Sequence, residues 1–268
     1  MTDAALVPPG LVIALAGVLG LLVGSFLNVV VHRVPAGLSV VSPPSACPGC
    51  SHEVRHRDNV PVVSWLLLRG RCRDCSVRIP ARYPLVEAGT GAAFAVTAWR
   101  FDDPVVLVAA LVVVGAGIGL ALIDLEHQRL PFAITRVATI LVVLVVVAGA
   151  ATGSAIDWTA VAVSVACWTG LYALLHYGSG GRAMGLGDVA LAPVLGLVLG
   201  LVGWPAAVVG LFAGFVLGAV VLVPLRATGR IGRRAAVPHG PFMLAGAALG
   251  LFVGVPLSQA YLTTIGLS

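Results

Sequence analysis

The stretch PVVLVAALVVVGAGIGLALIDL, Pro104 to Leu125, runs twenty residues without a charge before it reaches Asp124. Twenty apolar residues wound as a helix cover the roughly 30 Å of bilayer hydrocarbon, so the run reads as a membrane span that ends on a carboxylate. A second acid, Asp188, closes Met184-Gly185-Leu186-Gly187-Asp188 immediately ahead of another apolar run. Acids are otherwise almost excluded from such runs here. A carboxylate at the edge of a bilayer is costly to keep, so two of them point to acid/base chemistry at a membrane surface rather than to packing. The plainer reading is that both cap helices in wet loops.

Composition agrees with the solvent implied by that stretch. Charged residues make up 10% of the 268 and hydrophobic ones 59%, with a mean hydropathy of +1.04, far above a soluble balance. At roughly 20 residues per span the chain reads as an all-α polytopic membrane protein of about eight helices. These are Leu11 to Val31, Tyr83 to Trp99, Pro104 to Ile123, Ile134 to Ala151, Trp158 to Tyr177, Val189 to Val202, Pro205 to Leu225, and Pro241 to about Leu262. The second and sixth are short, which a membrane tolerates where a helix is packed inside a bundle or its end lines a wet cavity. The division expected is a first helix over 1–31, a hydrophilic loop domain over 32–82, and a membrane core over 83–268.

All 16 positive residues are arginine, and their distribution sets orientation. Eight lie between the first two helices: Arg33, Arg55, Arg57, Arg69, Arg71, Arg73, Arg78 and Arg82. Arg129 and Arg136 follow the third helix, Arg182 the fifth, and Arg226, Arg230, Arg233 and Arg234 the seventh. The opposite loops carry Asp3, Asp102, Asp103 and Asp157, with Arg100 the exception. The positive-inside rule therefore puts both termini outside and both aspartates on the cytoplasmic side of the cell membrane. Retained arginine loops account for the net charge of +5, so no nucleic-acid partner is needed. The first helix lacks a basic n-region and exceeds the usual signal h-region, and reads as a retained span.

The hydrophilic segment from His32 to Arg82 holds Cys47-Pro48-Gly49-Cys50 and Cys72-Arg73-Asp74-Cys75. Two Cys-x-x-Cys turns offer four thiolates at the spacing of a tetrahedral zinc site. A loop of this size buries too little apolar surface to fold well alone, so metal binding would supply much of its folding energy. Disulfides or redox thiols are the alternative, and the arginine-rich flanks place the loop in a reducing compartment. Cys167, in the apolar run of the fifth helix, reads as a small buried hydrophobe.

Two nearby carboxyls cannot both be ionised cheaply, so they share a proton. The ionised one can take a proton from water while the protonated one donates a proton to an acceptor. Gly185 and Gly187 clear side chains from beside Asp188, which suits close approach of an extended substrate. A helix starting at Val189 would favour an ionised Asp188 through its dipole, although the pair titrates as one unit and the sequence does not assign its proton. Glu126 and His127 follow Asp124 and either shape the site or sit solvated. Ser25 and Asn28 share a helical face suited to hydrogen bonds with neighbouring helices. Glu87, about one turn into a short span, is a candidate for a polar network.

Several motifs occur in one order: Gly24-Ser25-Phe26-Leu27-Asn28-Val29-Val30 with His32-Arg33, the two cysteine turns, Asp58-Asn59-Val60-Pro61, and Tyr83-Pro84-Leu85-Val86-Glu87. Asp124 with Pro131, Gly185 to Asp188, and His239-Gly240-Pro241-Phe242 follow. Together they resemble the type IV prepilin peptidases, leader peptidases of the GxGD aspartyl intramembrane class, over nearly the whole chain. The resemblance implies an enzyme that removes the basic leader of type IV prepilins or pseudopilins at the cytoplasmic face. Many such enzymes then methylate the new N-terminal amine from S-adenosylmethionine, and the donor site is expected in the cysteine loop and its flanking helix ends, with Glu87 a candidate for that region rather than for proteolysis. By position, the catalytic aspartates carry over onto Asp124 and Asp188, and the structural zinc ligands onto Cys47, Cys50, Cys72 and Cys75. Three positions depart from the common pattern: Ala190 where a lysine is usual, Phe132 where an acid is usual, and His239 where an aromatic is usual. Two other classes compete with this reading. A proton-coupled transporter would use both acids as proton carriers, and a catalytically silent assembly scaffold would keep only the loop.

Overall fold

The long apolar runs become helices in a computed structural model that describes residues 8–232 and 237–266. Asp3, Arg233 and Arg234 lie outside the described residues. The helices are α1 (Pro9–Arg33), α2 (Val63–Leu67), α3 (Arg82–Arg100), α4 (Pro104–His127), α5 (Phe132–Ala151), α6 (Trp158–Gly178), α7 (Leu186–Val202), α8 (Trp204–Ala227) and α9 (Gly240–Thr264), with one 3-10 turn at His56–Asp58. Among the described residues there is no β-strand, only the isolated bridges Ala46 to Glu53 and Arg71 to Arg78. Among the described residues six helices, α1, α4, α5, α6, α8 and α9, are long and apolar enough to cross a membrane. The shorter apolar helix α7 has 17 residues, about 25 Å of rise.

Two compact units meet at the Asp102–Asp103 bond. In the first, α1 packs on α3 through small residues. A Cβ on Gly20 would lie 2.6 Å from Thr90 O, and one on Gly24 would lie 2.7 Å from Glu87 Cα. Close backbone approach of this kind is how helices associate where lipid removes the hydrophobic drive. Thr90 turns its hydroxyl back to Val86 O at 2.7 Å and so presents no unsatisfied group at the contact.

The second unit is built from α4 to α9. Asp103 begins α4, its Oδ1 accepting the N–H groups of Val105 and Val106 at 2.9 Å each, and Asp157 caps α6 through Ala160 N–H at 2.9 Å. Both use a short carboxylate to satisfy first-turn donors that have no partner within the helix. The pairs α6/α7 and α8/α9 make the closest contacts, and α4, α7 and α9 all touch one another. Gly196 and Gly200 let α7 lie on Ser164 and Val161 of α6. Trp168 donates from Nε1 to Ala207 O at 3.0 Å, joining α6 to α8. Leu120, Ile123, Val194, Leu195, Leu199 and Met243 fill the middle. Alternation of direction along α4 to α9 brings the C-terminal end of α4 and the N-terminal ends of α7 and α9 to one side.

Candidate active site

Asp124 and Asp188 are both buried, at 5% and 7% exposure. Asp124 stands in the last turn of α4, and Asp188 at the third position of α7, near enough for the charge of one to bear on the other. The helix begins at Leu186 rather than Val189. The physical reason is Asp188 itself, whose Oδ2 accepts the N–H of Gly185, the cap residue, at 3.1 Å. That is half of a capping box, since glycine has no side chain to return the bond. Asp188 Oδ1 is buried with no hydrogen-bond partner among the described residues. A lone buried carboxyl oxygen beside a second acid is the arrangement in which one proton is shared.

Close packing holds the two acids in register. Gly240, first residue of α9, donates its N–H to Asp124, and a Cβ there would lie 2.6 Å from Asp124 Oδ2. A Cβ on Gly187 would lie 2.7 Å from Leu130 Cβ, and one on Gly240 would lie 3.1 Å from Leu130 Cδ1. Leu130, in the turn after α4, is thus the apolar peg against which α7 and α9 both seat. Gly185 keeps the backbone clear around the Asp188 carboxylate, where a Cβ would meet Oδ2 at 3.2 Å. His176 of α6 donates from Nδ1 to Met184 O at 2.7 Å, fixing the segment that leads into Gly185.

Sequence reasoning missed Tyr172 and noted His239 only as a departure. Tyr172 is fully buried, and its hydroxyl shares a 3.2 Å hydrogen bond with His239 Nε2. His239 directly precedes Gly240, so this bond anchors the start of α9 next to Asp124. The signal available in sequence was a tyrosine set within the apolar α6 run. Of the other candidates, Glu126 and Phe132 are exposed and Ala190 is half-buried. Glu87 belongs to the first unit, where its buried carboxylate accepts the N–H of Val62 at 2.6 Å, and Asn28 donates to Tyr83 O at 3.2 Å.

The four loop cysteines come together in that first unit. Their sulfurs lie within 4.8 Å of one another, with Cys47 to Cys75 at 3.7 Å and Cys50 to Cys72 at 4.0 Å. A tetrahedral ion bonded to sulfur at about 2.3 Å separates its ligands by about 3.8 Å. The cluster therefore could hold a metal such as zinc. The two turns repeat one another: Cys47 N–H bonds His52 O and Ser51 N–H bonds Cys47 O, as Cys72 N–H bonds Val77 O and Ser76 N–H bonds Cys72 O. Ser51 and Ser76 both take φ of +60°. N–H groups of Gly49 and Cys50 hold the Cys47 thiol down at about 7. At Cys50 the His52 N–H works in the same direction, yet burial and the three neighbouring thiols push it up to about 12. Four thiolates this close need a cation among them. Arg73 grips Asp58 through both carboxylate oxygens, at 2.6 to 3.0 Å, and Arg55 meets Asp74 at 2.7 Å, which ties the second cysteine turn to the rest of the loop. Cys167, by contrast, is exposed on α6.

Comparison with known proteins gives these two units a common context. Residues 18–101 match the bacterial peptidase A24 N-terminal domain and residues 111–223 match the type IV leader peptidase family. The chain is 34% identical to a prepilin leader peptidase/N-methyltransferase of Burkholderia pseudomallei (strain 1026b), over 94% of this chain and 89% of the relative. It is 36% identical to one from Pseudomonas putida, over 88% of each, and 32% identical to one from Stutzerimonas stutzeri, over 91% and 92%. No solved structure matches it. By these matches over almost its full length, the chain belongs to the type IV leader peptidase family.

Proposed function

We propose that the protein is a prepilin leader peptidase and N-methyltransferase, cutting the basic leader from type IV prepilins or pseudopilins at the cytoplasmic face of the cell membrane. The observation that carries the peptidase reading is the pair of buried carboxyls, Asp124 and Asp188, on converging ends of α4 and α7, with one oxygen of Asp188 left without a partner. The ionised member takes a proton from a water molecule, which attacks the scissile carbonyl carbon. The protonated member gives its proton to the carbonyl oxygen; collapse of the tetrahedral species breaks the C–N bond, leaves the leader with a new carboxyl end, and expels the N-terminal amine of the mature pilin, which takes the proton drawn from the water. Neither carboxyl becomes covalently attached. The arginine-rich loops on the side of the acids support a cytoplasmic site and outward-facing termini.

Zinc in the Cys47, Cys50, Cys72 and Cys75 cluster would be structural, since all four positions of a tetrahedral ion are taken by protein and none is left for water. S-adenosylmethionine would supply an electrophilic methyl group. Transfer breaks its S–CH3 bond and forms an N–CH3 bond on the neutral amine, whose proton passes to solvent. Two acids sharing a proton contribute little to that step, so the reactions rest on different residues.

The test is to incubate the zinc-loaded, detergent-solubilised protein with a prepilin and S-adenosylmethionine and weigh the pilin. The reading expects loss of the leader followed by a gain of one methyl at the new N-terminus. An uncut prepilin would favour a proton carrier instead, and cleavage without the methyl would leave only the peptidase.

A further inference from the structure

Within the hydrophilic loop one stretch is apolar: Val60-Pro61-Val62-Val63-Ser64-Trp65-Leu66-Leu67-Leu68, with Arg57 before it and Arg69 and Arg71 after it. Its centre forms α2, and the two faces of that helix differ. Ser64 is buried, Trp65 and Leu68 are half-buried, and all three line the loop's own cavity. The Ser64 hydroxyl donates to Arg57 O and accepts Val60 N–H, at 3.0 Å each, and Trp65 donates from Nε1 to Ile79 O at 3.1 Å. Val63, Leu66 and Leu67, spaced i, i+3, i+4, make the other face and are 50%, 61% and 77% exposed. Single exposed leucines are ordinary, but three adjoining apolar side chains on a face that no described residue covers mark a contact surface.

The level at which α2 is held identifies what covers that face. α1 is apolar from Leu11 to Val31 and meets its first ionisable residue at His32, which marks the edge of the hydrocarbon. Gly24 lies roughly two helical turns earlier, about 12 Å along the axis, and a Cβ there would lie 2.7 Å from Glu87 Cα on α3. Glu87 in turn accepts the N–H of Val62 at 2.6 Å. Val62 is thus tied, through one glutamate side chain, to a point well inside the apolar length of α1. Asn28, donating to Tyr83 O at 3.2 Å, puts the first residues of α3 inside the same edge. The tie is held against resistance. Val62 takes φ +61° and ψ −49° at the centre of a γ-turn closed by Val63 N–H to Pro61 O at 2.6 Å, a strained conformation for a β-branched residue that persists only where the surroundings over-determine it.

We infer that α2 lies in the membrane surface on the loop's side, with Val63, Leu66 and Leu67 dipping among the acyl chains and Arg69 and Arg71 meeting anionic phospholipid headgroups. Both arginines are exposed and pair with no carboxylate among the described residues. Basic residues beside an apolar face are what an anionic leaflet attracts. A helix of five residues leaves most of its carbonyls without a partner inside the helix, a need that the hydrated interface meets and the hydrocarbon does not. So α2 lies on the membrane and does not cross it. Tyr83 and Leu85, at the start of α3, are exposed near the same level, where aromatic side chains collect. The effect is to hold the cysteine loop against the bilayer at α2 as well as at its two ends.

Photocrosslinking tests this on the full, zinc-loaded chain in liposomes of phosphatidylethanolamine and phosphatidylglycerol, with a prepilin present. The photoreactive amino acid p-benzoylphenylalanine replaces Leu66, Leu67 or, as the lipid-facing control, Leu85, and the mass of the adduct formed on irradiation names its partner. Lipid adducts at Leu66 and Leu67 support the inference, with phosphatidylglycerol roughly twofold above its share of the bilayer. Arg69→Gln combined with Arg71→Gln should return it to that share. Adducts to prepilin or to a second copy of the chain in place of lipid overturn the inference, as does no adduct at either position while Leu85 labels lipid. Phosphatidylglycerol at no more than its share in the chain that keeps both arginines overturns the role given to them. Both positions are exposed, so each variant should keep the wild-type zinc content, and if one does not, the other reads the same face.

Discussion

Tyr172 Oη and His239 Nε2 lie 3.2 Å apart, and both rings contact Phe215, Tyr172 stacked on it at a centroid separation of 5.7 Å and His239 tilted against it at 5.3 Å. This bond joins α6 to the start of α9, one residue from the Gly240 N–H that Asp124 accepts. His239→Phe keeps the ring stack but strands a fully buried hydroxyl, at a cost of about 1–3 kcal/mol. Adding Tyr172→Phe removes both partners, and thermal unfolding should then recover most of the loss. Additive losses in the double variant would mean that the two residues act independently.

Gly187 makes a second prediction. A methyl there must displace Leu130, and overpacking of this kind disturbs a core by about 1–3 kcal/mol. Gly187→Ala should slow prepilin cleavage roughly tenfold or more by moving α7 and Asp188. Leu130→Ala in the same chain opens the space and should restore part of the rate. A Gly187→Ala enzyme with the wild-type rate would show that the contact does not position the acid.

The metal cluster gives a third. Cys72→Ser should lower the zinc content of purified protein and loosen residues 32–82 to protease, whereas Cys167→Ser, exposed on α6, should do neither. Each sulfur must shed its proton to bind, so wild-type protein should release zinc as pH falls, and hold it more firmly as pH rises. Equal zinc loss from the Cys167 variant would contradict the four-cysteine assignment.

What was legible in the sequence was whatever a local pattern encodes. Among the described residues, apolar runs near bilayer length announced the six helices long and apolar enough to cross a membrane, as for Pro104 to Ile123 in α4, and the repeated Cys-x-x-Cys spacing announced a cluster that the sulfur distances fit. Acids excluded elsewhere from apolar runs singled out Asp124 and Asp188. What stayed hidden depends on contacts between residues far apart in the chain. Glu87 bonds Val62 from 25 positions away and Tyr172 meets His239 across 67, and no periodicity records either. The glycines carried part of the message under a different cause. Gly187 was read as room for an approaching substrate, while the close neighbour it accommodates in the structure is Leu130. The start of α7 was placed three residues late because the bond from Gly185 N–H to Asp188 draws the acid into the helix.

The central claim is that cleavage requires the two buried carboxyls acting together. Asparagine keeps their shape and removes the proton chemistry, so rates of prepilin cleavage by purified Asp124→Asn and Asp188→Asn, each checked for wild-type zinc content and unfolding temperature, test it most directly. General acid and general base each contribute roughly 10² to 10⁴ in rate, and each single variant should fall by at least the lower figure. The double variant should be little worse than either, because the pair works as one unit. A folded single variant that still cuts prepilin at near the wild-type rate would contradict the account.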